Sequence, residues 1–163
     1  MKIPFFLPEI KNEDKKVIIK SLNSSYLTDG PQLKKFERKF AKFTNSRFAV
    51  GVSNATSALL LSLKAIGIQK GDEVIIPDMT FIATASAVIL SGATPVLADI
   101  KRDDLTLMPE SVEKCINSKT KAILPVHFAG FPCDMKRIKK IAKKNNLKII
   151  EDCAHAIGTL HED

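Results

Sequence analysis

Apolar positions along the chain change period several times, and each change marks an element. Over 11–23 the spacing predicts an amphipathic helix with Val17, Ile18 and Leu22 on one side. Pro31 suits the first turn of a second helix, where its missing N–H costs nothing. Leu33, Phe36, Phe40 and Phe43 then recur at helical spacing as a stripe expected to be buried. At 48–52 the pattern becomes a short apolar run, read as a first strand. Ser53-Asn54 starts a helix over 55–66, with Gly67 as its stop. The cycle then repeats. Strands are expected at 73–76, 95–98, 122–126 and 147–150, and helices at 81–91, 109–116 and 135–145. Asp134 is placed to cap the last helix, whose inner face reads Met135, Ile138, Ile141 and Ala142. Strands apolar on both faces and separated by helices predict an α/β fold, a mostly parallel sheet with flanking helices.

Composition narrows the classes. The chain has 163 residues, of which 45% are hydrophobic and 26% charged, so there is apolar area enough to offset the ordering entropy. No apolar run approaches the ~20 residues of a membrane span, and the opening Ile3-Pro4-Phe5-Phe6-Leu7 is too short for a signal peptide. Three widely spaced cysteines and three scattered histidines write neither a disulfide framework nor a zinc pattern, so no metal is expected. A reduced, cytoplasmic chain is the default. The net charge of +7 comes largely from lysines on predicted helix faces, and no Trp interleaves with them, so nucleic acid is not the expected partner.

Residues with chemical capacity collect where the strands end. In an open α/β sheet that rim is where ligands sit. Ser53-Asn54-Ala55-Thr56-Ser57 follows the first predicted strand, and Asp78 to Phe81 the second. His127 follows the fourth, and Glu151-Asp152-Cys153-Ala154-His155 the fifth. The Ser53–Ser57 turn offers either an anion site at a helix N-terminus or a plain cap. Asp152 closes a strongly apolar strand and needs a donor, which a protonated ring nitrogen of a cofactor or a nearby turn could provide. Phe81 is core or a flat surface for a planar ligand. His155 and His127 are donors to a ligand or satisfied structural histidines.

Read together, Tyr26-Leu27-Thr28-Asp29-Gly30-Pro31, Ser53-Asn54-Ala55-Thr56-Ser57-Ala58-Leu59, Thr80-Phe81-Ile82-Ala83-Thr84, Pro125-Val126-His127 and Glu151-Asp152-Cys153-Ala154-His155-Ala156 carry a resemblance. So do Gly71-Asp72-Glu73-Val74-Ile75 and Gly92-Ala93-Thr94-Pro95-Val96. The chain resembles the N-terminal part of the DegT/DnrJ/StrS family of pyridoxal-phosphate sugar aminotransferases, which have the fold-type I architecture. The resemblance implies that Ala55 and Thr56 hold the phosphate of pyridoxal 5'-phosphate and that Phe81 stacks on its ring. It implies further that Asp152 pairs with the ring nitrogen and His155 with the phenolic oxygen. Gly30 would lie near the substrate, and His127 is carried as a second position near it, on strand-end placement alone.

The resemblance also implies an amino-acid donor, glutamate, a nucleotide-linked keto-sugar acceptor and a homodimer in the full-length form. The family's Schiff-base lysine is expected beyond Asp163. Residues 1–163 are therefore read as an incomplete large domain of that enzyme, without the rest of that domain or the small one, and inactive alone. Two other readings stand beside it. One is a deoxysugar dehydratase of the same family, and the other a non-catalytic α/β module that binds a phosphorylated ligand.

Overall fold

The computed structural model describes residues 7–160, and the opening Ile3–Phe6 lies outside them. The chain divides into two compact units, one ending at Gly51 and the other beginning at Val52.

The first unit holds two helices, α1 (Asn12–Leu22) and α2 (Pro31–Phe43). Asp14 supports the start of α1 by accepting the Lys11 N–H at 2.8 Å, and Pro31 opens α2 as its position predicts. Neither helix buries a residue. The α2 stripe was expected to be buried. Leu33 and Phe40 are half-buried, but Phe36 and Phe43 are 57% and 64% exposed. The three rings lie along one face instead, with centroids 5.6 Å (Phe36–Phe40) and 6.4 Å (Phe40–Phe43) apart. The strand expected at 48–52 does not form. A strand needs a neighbour for its backbone groups, and each of the described strands pairs elsewhere. Gly51 donates its N–H to Glu37 Oε1 at 2.8 Å instead, and Phe48 and Val50 are exposed.

The second unit is built on a four-stranded sheet. In chain order it runs α3 (Ala55–Ala65), β1 (Glu73–Pro77), α4 (Ala83–Leu90), β2 (Thr94–Ala98), α5 (Pro109–Cys115), β3 (Thr120–Ile123), α6 (Met135–Lys144) and β4 (Lys148–Ile149). The spatial order is β2-β1-β3-β4, and every pairing is parallel. Strand β1 is central, with Val74, Ile75 and Ile76 fully buried. Strand alternation sends Val74 and Ile76 to one face and Ile75 to the other. The first face packs Leu59 and Leu63 of α3 and Ala87 and Val88 of α4. The second packs Val112 of α5 and the complete predicted stripe of α6, Met135, Ile138, Ile141 and Ala142. The result is two apolar cores on either side of one sheet.

Strand β3 begins earlier than 122 and its regular ladder stops before Pro125, which has no N–H to give. Pairing resumes as one parallel bridge between Val126 and Asp152. Asp152 donates its N–H to Pro125 O at 2.9 Å and accepts the His127 N–H at 3.1 Å. The sheet thereby carries Asp152 to its C-terminal rim. Among the described residues no helix is long and apolar enough to cross a membrane.

Candidate active site

The first wall of the site is the start of α3. Asn54 is in extended backbone, and its Oδ1 accepts the Ser57 N–H at 2.8 Å. Its carbonyl accepts the Ala58 N–H at 3.1 Å, while the Ser53 and Ser57 hydroxyls meet at 3.1 Å. The cap therefore occupies Ser57 and leaves the N–H groups of Ala55 and Thr56, which have no carbonyl a turn earlier to bond. They lie at the positive end of the helix dipole, where an anion is favoured.

The second wall is the turn into α4, where Phe81 is 72% exposed. An aromatic ring left this open at the rim offers a flat apolar face. Opposite in sequence lies Asp152, 9% exposed at the end of the sheet. Its Oδ1 accepts the Ala154 N–H at 3.1 Å, and its Oδ2 receives the Thr84 hydroxyl at 3.5 Å. Thr84 is wholly buried and its hydroxyl lies 2.9 Å from that of Thr80.

His155 meets the edge of the Phe128 ring, with centroids 6.4 Å apart and planes at 65°. The chain turns sharply after Phe128 through Ala129 (φ 51) and Gly130 (φ 90), both left-handed. A Cβ on Gly130 would come within 3.4 Å of the His155 carbonyl, so glycine serves both the turn and the close approach.

These groups share one cavity of about 650 Å³, lined by Ala55, Thr56, Phe81, Phe128, Asp152 and His155 among others. The five positions singled out for a cofactor, which stand up to a hundred residues apart in the chain, thus reach one space. Its donor set joins an anion seat, an aromatic plane, a buried carboxylate and an imidazole.

His127 is not among the lining residues. Its ring is buried and bonded on both nitrogens: Nδ1 accepts the Cys133 N–H at 3.0 Å, and Nε2 faces Glu151 Oε2 at 3.1 Å. The Cys133 and Cys153 side chains and the Glu151 carboxylate push its pKa up. The Cys133 N–H claims the Nδ1 lone pair and leaves the ring's single proton on Nε2, toward Glu151, so the geometry is that of the neutral ring despite that upward pull. Cys133 Sγ in turn lies 3.2 Å from the Val126 carbonyl. His127 thus ties the end of β3 to the segment carrying Asp152. Gly30 belongs to the other unit, where it caps α2, and an added Cβ would meet Tyr26 Cβ at 2.8 Å. Sequence reasoning missed Thr80, Thr84 and Phe128. Two threonines four apart at a helix start were a visible hint of one face, but nothing local linked them to Asp152.

Nearly the whole of this chain matches known proteins. The DegT/DnrJ/EryC1/StrS aminotransferase family matches residues 8–163. The chain belongs to this family. Among its relatives, the spore coat polysaccharide biosynthesis protein SpsC of Bacillus subtilis is 42% identical over 160 residues, which is 98% of this chain and 41% of SpsC. DesV of S. venezuelae, solved in complex with a ketimine intermediate, is 43% identical with a TM-score of 0.87, over 90% of this chain and 39% of DesV. NtdA of Bacillus subtilis, solved with bound cofactor PMP, is 37% identical with a TM-score of 0.87, over 91% of this chain and 35% of NtdA. The chain thus spans about two fifths of the length of the relatives it matches. Its four-stranded parallel sheet with flanking helices is part of the fold-type I architecture of these aminotransferases.

The cavity suits the family's cofactor on its own chemistry. A phosphate needs free N–H groups at one end, a pyridine ring needs a plane, and a ring nitrogen that carries a proton needs a carboxylate. Asp152 supplies that carboxylate with one oxygen on a backbone N–H and the other on a single long contact.

Proposed function

We propose that this chain is the cofactor-holding part of a pyridoxal-phosphate-dependent aminotransferase that, in its full-length form, passes an amino group from glutamate to a nucleotide-linked keto-sugar. The observation that carries this reading is the convergence of Thr56, Phe81, Asp152 and His155 on one cavity. When bound, the cofactor supplies an aldehyde that takes up the amine and a ring that accepts electrons. The free N–H groups of Ala55 and Thr56 hold its phosphate. The ring of Phe81 covers one face of the pyridine and keeps water from it. Asp152 pairs with the ring nitrogen and holds the proton there, and His155 hydrogen-bonds the phenolic oxygen. His127 does its work from beneath, by fixing the segment on which Asp152 stands.

The part taken by SpsC in spore coat polysaccharide biosynthesis supports a sugar as the acceptor. In this reading residues 1–163 make up part of the enzyme's large domain. The working enzyme in this reading is a cytoplasmic homodimer, and the 163-residue chain is expected to bind the cofactor.

Titrating the purified chain with pyridoxal 5'-phosphate and following the cofactor's absorbance tests this. Saturable binding is expected, with competition by inorganic phosphate. Asp152→Asn should weaken it by about tenfold, the worth of one charge-assisted hydrogen bond. A wild-type chain that keeps its fold and shows no saturation sinks the reading.

A further inference from the structure

Asp152 can serve a ring nitrogen only if its carboxylate is aimed, and the backbone fixes only one of its two oxygens. Oδ1 is held by the Ala154 N–H at 3.1 Å, two residues along the same turn. A single anchor leaves the carboxyl plane free to swing about that bond. The other oxygen, Oδ2, has the Thr84 hydroxyl at 3.5 Å, from a helix 68 residues earlier in the chain.

Thr84 is 0% exposed, so its hydroxyl has no water to satisfy it and must find partners inside the protein. A helical threonine commonly turns its hydroxyl back on a carbonyl a turn earlier. Here the hydroxyl's partners are side chains, the Thr80 hydroxyl at 2.9 Å and Asp152 Oδ2. Donor bookkeeping then gives the chain a direction. A carboxylate only accepts, so Thr84 gives its single hydrogen to Asp152 and receives that of Thr80. Thr80 and Asp152 both line the cavity, so the two hydroxyls link one part of its wall to Asp152 Oδ2.

We infer that Thr84 is a positioning residue for Asp152: its hydroxyl, oriented by Thr80, holds Oδ2 so that the carboxylate is presented to the ring nitrogen of the bound cofactor. This rests on the reading of the cavity as a pyridoxal-phosphate site. The distance of 3.5 Å is long for a hydrogen bond, which suits a group that steers an oxygen without competing strongly for its charge. The γ-methyl of Thr84 is buried along with its hydroxyl, so the two must be tested apart.

The test is the protonation of the ring nitrogen, read from the 15N shift of ring-labelled pyridoxal 5'-phosphate bound to the 163-residue chain across a pH series. In the wild type the nitrogen should keep its proton to a higher pH than in the free cofactor. Thr84→Val, which keeps the shape and removes the hydroxyl, should lower that pH midpoint and weaken cofactor binding roughly three- to tenfold. Thr84→Ser should restore both. If Thr84→Val does not fold, Thr80→Val carries the test, with a smaller shift in the same direction. A midpoint unchanged or raised in Thr84→Val overturns the inference, as does a serine variant that behaves like the valine one. If the folded wild-type chain binds no cofactor, the inference falls together with the reading beneath it. If it binds, and Asp152→Asn alone moves the midpoint, only the role of Thr84 is lost.

Discussion

Helices α2 and α6 carry the same kind of sequence and meet different fates. Each sets an apolar stripe at helical spacing against a lysine-rich opposite face. In α6 all four stripe residues, Met135, Ile138, Ile141 and Ala142, are buried under the sheet. In α2 Phe36 and Phe43 remain more than half exposed within the described chain. Periodicity states which face of a helix is apolar, whereas burial depends on what lies opposite, and that is a property of topology. The second unit has a sheet with two faces to cover. The first has two helices, neither of which buries a residue.

The contrast is sharpest in truncation. Ile138→Ala removes a side chain that is 0% exposed and should cost about 2–5 kcal/mol in urea denaturation of the chain. Phe36→Ala deletes a larger group at a surface position and should cost less than about 0.5 kcal/mol. Comparable losses from the two would mean that α2 is as deeply engaged as α6, and the distinction would break.

A smaller effect probes how the helices of the second unit are ended. Gly92 has φ +95, and a Cβ there would stand 3.4 Å from the Lys70 backbone nitrogen. Gly92→Ala should therefore lower stability by about 1–2 kcal/mol, measured as a shifted urea midpoint. No shift would show that the turn after α4 relaxes freely.

The smallest effect lies on the solvent face of α6, where Arg137 pairs with Glu110. The hydrogen bond from Arg137 holds the Glu110 carboxyl below its usual range. A depressed carboxyl favours the fold above its unfolded pKa, and the benefit goes as pH falls through the folded value. Since both partners are exposed, the thermal midpoint should barely separate wild type from Arg137→Met at pH 7, and the small gap should close as pH falls through the folded value. A large gap at neutral pH would make this face more than a solvated one.

Much of this was legible in the sequence because it was local. Asn54 and Asp134 cap as their types predict, and β1, β2 and the α6 stripe follow from period alone. The rim positions after β1 and β4 were legible too, since residues after parallel strands emerge at one edge, whereas Ala55 and Thr56 reach the cavity with no strand before them. What escaped was non-local. The run at 48–52 has the composition of a strand, but composition does not supply a neighbour. The rings of α2 have the spacing of a core without the surface to meet. His127 stands where a ligand residue would, and only the Cys133 N–H and Glu151 reveal which way its ring is engaged. Thr84 looked like one small residue in a helix of small residues until Asp152 arrived beside it.

The all-parallel order of the sheet also sets a timetable. One wall of the cavity, from α3 and α4, emerges from the ribosome well before the acid that completes it, since Thr84 and Asp152 stand 68 residues apart. At about 5–20 residues per second, roughly 5–19 s separate the making of Thr56 from that of Asp152, 96 residues later. The cavity can therefore close only after the last stretch of the sheet has been made.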